Sequence, residues 1–278
     1  MKNILVFTDF SEVADNAAEY ALKMAVELKA NVVLFHAIDT RVNDIPYRNE
    51  GITNYDKLEK ESLHKLDLLA NKLEIVLNGE FFKPRISFFT KAGNLKDMVS
   101  SLVNYHKIEL LVMGARLYPD YPGYLFGNKI REVVEEHPCS ILLLHGKTKF
   151  RTIKNILYIT DLRYCDLDII EQLTSYANLL NAHVTILHVC TDGLPVLLNE
   201  EASAIFKDSI ATQINYKHLY FLETESCDTK LAINKMFENQ DEDVLVIAHK
   251  KYHFFNHLFR QHTKKESLMY SRLPIIII

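Results

Sequence analysis

The sequence lacks an excess of charge of either sign, a run long enough to cross a membrane, closely spaced cysteines and, over most of its length, glycine. A formal net charge of -4 with both signs interspersed gives no basic field, which excludes a protein built chiefly to grip nucleic acid or an anionic membrane. The opening MKNILVFTDFSE meets an acid after a handful of apolar residues and has no signal-peptide pattern, so a cytoplasmic location is expected. Cys139, Cys165, Cys190 and Cys227 show no CxxC spacing, which points to reduced core cysteines rather than a disulfide framework or a zinc knuckle. GxSxG, HExxH and a full Walker P-loop are all missing, so no enzyme is expected. What the chain does have is apolar residues, 48% of 278, enough for one large domain or two of ordinary size.

The chain is written twice. Lys2-Asn3-Ile4-Leu5-Val6-Phe7-Thr8-Asp9-Phe10 recurs as Lys154-Asn155-Ile156-Leu157-Tyr158-Ile159-Thr160-Asp161-Leu162, at an offset of 152 residues that also carries Val32–Ala37 onto Val184–Val189. Further on, Glu109–Met113 matches Asp243–Ile247 at an offset of 134, and Ser140–Leu143 matches Pro274–Ile277 at the same offset. The second copy is therefore 18 residues shorter, the difference of the two offsets, somewhere between its second and fourth strands. The longer connection of the first copy is placed around Asp39 to Tyr55.

Each copy alternates short β-branched runs with amphipathic ones. In the first, strands are expected at Ile4–Thr8, Val32–His36, Arg85–Thr90, Leu110–Met113 and Ile141–Leu144. Asp9-Phe10-Ser11-Glu12 supplies a helix N-cap ahead of the small and apolar positions Ala14, Ala17, Ala18, Tyr20, Ala21 and Met24, and leucines from Leu58 to Leu77 mark a further helix. Near-continuous apolar strands joined by crossover helices imply a parallel sheet covered on both faces. The expected fold is α/β: two doubly wound, five-stranded, Rossmann-like domains, over 1–150 and 151–278. The uncharged closing run Pro274–Ile278 would leave an open edge, so the copies are expected to pair about a pseudo-twofold axis with their last strands adjacent.

These features, Thr8-Asp9-Phe10-Ser11 ending the first strand, the Ala-rich helix, Leu34-Phe35-His36-Ala37-Ile38-Asp39 ending the second strand and His137-Pro138-Cys139 before the fifth, resemble the universal stress protein family in a tandem arrangement. The resemblance implies an adenine nucleotide alpha hydrolase-like fold. In members of the family that bind nucleotide, a glycine pattern follows the fourth strand: Gly, two residues, Gly, nine residues, Gly, then Ser or Thr. Laid on GARLYPDYPGYLFGNK, it places Gly114 at the first glycine, Leu117 at the second, Gly127 at the third and Asn128 at the hydroxyl position. Leu117 brings a bulky side chain where backbone should approach phosphates, whereas Asn128 still caps a helix and donates through its amide. The carboxylate of Asp120 opposes a polyphosphate, and Arg116 and Lys129 offset it.

The resemblance also implies that Asp9 holds the ribose or adenine end and that the backbone of Ala37 reads adenine. Asp9 serves equally well as a turn-forming residue before the helix cap. The second copy sends the motif positions to Ala248, Lys251, Gln261 and His262, so its glycines are gone. The spacing of His249, His253 and His257 suits a metal, but no carboxylate or cysteine completes a ligand set, and no metal site is expected. The surrounding basic and aromatic residues suit a solvated loop packed through its phenylalanines, or contact with an anionic ligand or partner. His36 and His188 read as packing and hydrogen-bonding residues of the fold.

The function expected from this resemblance is a non-catalytic stress-response or regulatory module. Its first domain takes ATP or AMP at Asp9, Ala37, Gly114, Arg116, Gly127, Asn128 and Lys129. Ligand would order the Leu117–Phe126 loop, which an unidentified protein partner reads. Neither nucleic acid nor membrane is a partner, and a homodimer is compatible with the pairing. Two alternatives stand beside this: a structural or protein-interaction member that takes no nucleotide, and a weak ATPase.

Overall fold

A computed structural model describes residues 2–38, 54–116, 128–146, 148–160, 167–189, 196–224, 242–249 and 273–278. They form two compact units, one for each copy of the repeat.

The first unit runs β1 (Asn3–Phe7), α1 (Glu12–Leu28), β2 (Asn31–Ile38), α2 (Asn54–Val76), β3 (Ile86–Ala92), α3 (Leu95–His106), β4 (Ile108–Ala115), α4 (Asn128–Glu136), β5 (Ser140–His145). The strand order is β3-β2-β1-β4-β5, with every neighbouring pair parallel. The second unit runs β6 (Asn155–Thr160), α5 (Leu167–Leu180), β7 (His183–Val189), α6 (Val196–Gln213), β8 (Leu219–Thr224), β9 (Val244–Ile247), β10 (Ile275–Ile277). Its order is β10-β9-β6-β7-β8, again all parallel, which is the same winding. The doubly wound α/β expectation holds for both copies.

The repeat extends to single residue pairs. Ile4 pairs with Val32 and Leu110, and their mates Ile156, Val184 and Val244 pair in the same way. The third strands locate the shortening: Val32 faces Ile86, while Val184 faces Leu219, so the missing residues come out of the connection that leads into β8. Residues 39–53, where the longer connection was expected, lie outside the described residues.

Sequence chemistry accounts for the layers. β1 is buried from Ile4 to Phe7 because helices cover both faces of a parallel sheet. α1 packs with α2 and α3 with α4, and right-handed crossovers put the two pairs on opposite faces. On α1, Ala17, Ala18, Ala21 and Ala25 are wholly buried, and their small side chains bring the helix axis close to the strands. Leu22 of α1 and Leu34 and Phe35 of β2 fill the remaining space, each stabilising the fold by about 1.5–3 kcal/mol through burial. Lys29 closes α1 in the left-handed region, where its N–H reaches the carbonyls of Ala25 and Val26. Among the described residues no helix is long and apolar enough to cross a membrane.

Candidate functional site

In the first unit the chain winds from β1 out to β3 in one direction and from β4 to β5 in the other. The order therefore reverses between β1 and β4, and in doubly wound sheets the crevice for a ligand lies at the carboxyl ends of the strands at such a switch point. Asp9 follows β1 and Arg116 follows β4, so the two flank this switch point.

The turn after β1 is built by short polar side chains. Thr8 is fully buried, and its Oγ1 accepts the Phe10 N–H at 3.0 Å. Asp9 Oδ1 accepts the Ser11 N–H at 3.0 Å, and Ser11 Oγ in turn accepts the Ala14 N–H at 3.3 Å, capping α1. The sequence placed the cap correctly and left Asp9 with two readings; the turn-forming one is realised. Burial of the Asp9 carboxyl would raise its pKa, but hydrogen bonds from Ser11 and the charge of Arg116 outweigh this and hold it below the usual carboxylate range.

Phe10 sits at φ 61°, a region that bulky residues rarely occupy. That backbone brings its ring to 4.4 Å from the imidazole of His36, with 33° between the planes. His36 Nδ1 lies 2.8 Å from the Thr8 carbonyl oxygen, which can only accept, so Nδ1 carries the proton. With Nδ1 protonated, Nε2 is an acceptor, and among the described residues it has no hydrogen-bond partner. Burial lowers the His36 pKa most, and Lys129 and Lys65 lower it further, against the opposing pulls of the Thr8 carbonyl and Asp9. The imidazole is held neutral.

Three cations surround this turn. Lys129, in the first turn of α4, places Nζ 5.9 Å from the centroid of the Phe7 ring. Lys65, midway along α2, places Nζ 5.4 Å from that of Phe10. Arg116 is exposed beside Asp9, and none of the three forms an ion pair with a described carboxylate. The nearby acid of α1, Asp15, is occupied by Lys72 at 3.3 Å.

Of the residues singled out in the sequence, Asp9, Arg116 and Lys129 thus meet at one crevice. Ala37 lies next to His36, buried and paired with Lys91 of β3. Gly114 has a packing reason of its own: a Cβ there would stand 2.6 Å from the Val13 carbonyl oxygen and 2.9 Å from the Ala14 nitrogen, so only glycine lets α1 seat on β4. Gly127, Leu117 and the rest of the Leu117–Phe126 loop lie outside the described residues, as does the side chain of Asn128, whose backbone opens α4. Sequence reasoning missed Lys65 and the ring contact of Phe10. His36 packs and hydrogen-bonds as the sequence reading has it, its ring against Phe10 and its Nδ1 on the Thr8 carbonyl.

The second unit differs at the corresponding positions. His188 is buried at 3% exposure, and its partner in register is Glu223, which receives the Ser203 hydroxyl and the Lys207 ammonium, the latter at 3.0 Å. In the first unit Thr90 occupies that register and donates to the His36 carbonyl at 2.8 Å. Ala248 carries a Cβ at the place of Gly114. Of the histidines at four-residue spacing only His249 is described, and its N–H donates to the Ile278 carbonyl at 2.7 Å. Lys251, His253, His257, Gln261 and His262 lie outside the described residues. Among the described residues no three His, Cys, Asp or Glu side chains gather as metal ligands.

The family model of the universal stress protein family matches residues 1–145. Among solved structures, a universal stress protein from Archaeoglobus fulgidus aligns over 99% of this chain and 97% of its own, at TM-score 0.68 and 13% identity. One from Pseudomonas aeruginosa aligns over 100% and 93%, at TM-score 0.57 and 15% identity. At those identities the likeness is one of fold. A universal stress protein family protein from Arabidopsis thaliana with AMP bound aligns over 52% of this chain and 92% of its own, at TM-score 0.35 and 17% identity. No protein in the curated set matches the sequence. By the match to its first half, the chain belongs to the universal stress protein family.

Proposed function

We propose that the chain is a non-catalytic regulatory module that binds an adenine nucleotide, ATP or AMP, in the crevice of its first unit. The observation that carries this reading is the meeting of Asp9 and Arg116 at the switch point, with Lys129 and Lys65 beside them and no ion pair from any of the three cations to a described carboxylate. Doubly wound sheets take ligands at this place, and excess positive charge there favours an anion. Asp9, held ionised, is suited to accept a ribose hydroxyl, and the backbone of Ala37 to read the base edge. Gly127, Asn128 and the α4 N-terminus would meet the phosphates. Copy two would serve as the degenerate partner domain. A protein partner that reads the bound state completes the regulatory role.

Calorimetric titration of nucleotide-stripped protein with ATP and AMP tests the reading. Saturable one-site binding, weakened in Arg116→Gln, supports it; absence of heat at millimolar ligand overturns it. A second reading, an interaction protein that takes no nucleotide, is favoured by one observation. Val13 explains Gly114 without any ligand.

A further inference from the structure

The connection from α2 to β3 carries the chain's single Asn-Gly pair, Asn78-Gly79. The chain is described without a break from 54 to 116 on either side of it. After α2 ends at Val76, the N–H groups of Leu77, Asn78 and Glu80 donate to the carbonyls of Glu74, Ile75 and Leu77 at 3.2, 3.3 and 3.2 Å. Gly79 is left out of this series. Its N–H has no acceptor among the described residues, and its φ of 98° is one that a side chain would strain. A Cβ built on it would meet nothing within 4 Å, and both residues of the pair are exposed. The Asn78 side chain likewise has no hydrogen-bond partner among the described residues.

Other asparagines are held. The Asn16 amide donates to the Thr148 carbonyl at 3.0 Å, and the Asn94 side-chain oxygen accepts the Lys96 N–H at 3.2 Å. Asn181 is the closest match to Asn78, exposed after α5 with φ 51°. Its following amide is committed, however: the Ala182 N–H donates to the Ala177 carbonyl at 2.9 Å, and Ala182 is wholly buried.

We propose that Asn78 is a site of spontaneous covalent modification, where an amide becomes a carboxylate, and that the change weakens the carboxyl end of α2 as the molecule ages. The Gly79 nitrogen gives its proton to hydroxide and attacks the carbonyl carbon of the Asn78 side chain. An N–C bond forms, the C–NH2 bond breaks and ammonia leaves, which gives a five-membered succinimide. Water then opens the ring. Cleavage between nitrogen and the side-chain carbonyl yields aspartate in an ordinary backbone. Cleavage between nitrogen and the main-chain carbonyl yields isoaspartate, with the chain running through the former side-chain methylene. Either product puts a negative charge at the negative end of the α2 dipole, whose last turn has no basic residue to offset it. Isoaspartate also lengthens the connection that brings β3 beside β2.

The test is incubation of the full chain at pH 8, native and in urea, followed by peptide mass spectrometry that resolves aspartate from isoaspartate. Native Asn78 is expected to convert within about threefold of its rate in urea, because no local structure has to open first. Asn181 should convert about tenfold or more slowly in the same native sample, because its neighbour's amide must first break a buried hydrogen bond. Asn78→Gln, which could close only a six-membered ring, should stay intact. Aged wild type should then melt below fresh wild type, and aged Asn78→Gln should melt with its fresh form. Conversion of Asn78 in urea but not in the native chain overturns the site, as does native conversion of Asn181 at an equal rate. Equal melting of fresh and fully converted wild type overturns the weakening of α2.

Discussion

The Val13 carbonyl oxygen stands 2.6 Å from where a Cβ on Gly114 would lie, and Val13 Cγ2 stands 3.0 Å from where one on Gly146 would lie. One residue of α1 thus seats against two glycines near the ends of neighbouring strands. The two contacts differ in kind, backbone in one case and a side-chain methyl in the other. Gly114→Ala is expected to cost about 1–3 kcal/mol in urea denaturation, and Gly146→Ala less. Adding Val13→Ala should relieve Gly146→Ala and leave Gly114→Ala unrelieved. Relief of both would mean that α1 shifts as a whole.

Ser11 has two tasks, capping α1 and holding Asp9 ionised. Ser11→Ala is expected to cost about 1 kcal/mol and to raise the Asp9 pKa. Because the folded-state pKa of Asp9 is depressed, its stabilising effect is present above the unfolded value and lost as pH falls through the folded one. Asp9→Asn should therefore differ from wild type at neutral pH and converge with it in acid, a trend that denaturation curves from pH 7 to pH 2 would show.

His36 acts in the same direction at higher pH. Its folded-state pKa lies below 6.5, so the unfolded chain takes the proton first and stability falls as pH drops below 6.5, levelling off once the folded-state pKa is passed. The slope of stability against pH near 6 should flatten in His36→Gln. An unchanged slope would assign that proton to another group.

Glu242, at the amino end of β9, is buried at 9% exposure with no hydrogen-bond partner for Oε2 among the described residues, and burial followed by Asp243 pushes its pKa up to about 7. A raised folded-state pKa gives stability that is present below 4.5 and lost as pH rises through about 7. Glu242→Gln should accordingly gain on wild type between pH 6 and pH 8 in thermal melts. A constant difference across that range would contradict the assignment.

The thiol of Cys139 is likewise pushed up by burial, to about 12, with only partial relief from a hydrogen bond to the Leu111 backbone. At pH 8 it should resist iodoacetamide in native protein and react on unfolding, which site-resolved mass spectrometry would read. Rapid native labelling would show that this edge of β5 opens.

Most of the fold was legible because the chain states it twice, and pairs such as Ile4–Val32 and Ile156–Val184 keep the same offset in sequence and in space. Strand ends moved by a residue or two, as with β1 ending at Phe7 while Thr8 is drawn into the turn by Phe10. The site was less legible. The packing role of Gly114 was not legible, because its contact with Val13 joins two distant stretches of chain. Lys65 looks like any other charge on the polar side of α2, such as Lys57 or Lys72, and only folding over Phe10 distinguishes it. His36 could be placed at a strand end, but its tautomer depends on the Thr8 carbonyl of the neighbouring strand.

The central claim is that an adenine nucleotide occupies the crevice between the ends of β1 and β4, and amide chemical-shift mapping of the full chain during ATP titration tests it most directly. The account predicts saturable shifts at Thr8 to Ser11, at His36 to Ile38 and at Gly114 to Arg116, reaching Lys129 and Lys65. Shifts confined to the second unit, or none at millimolar ATP, would contradict it.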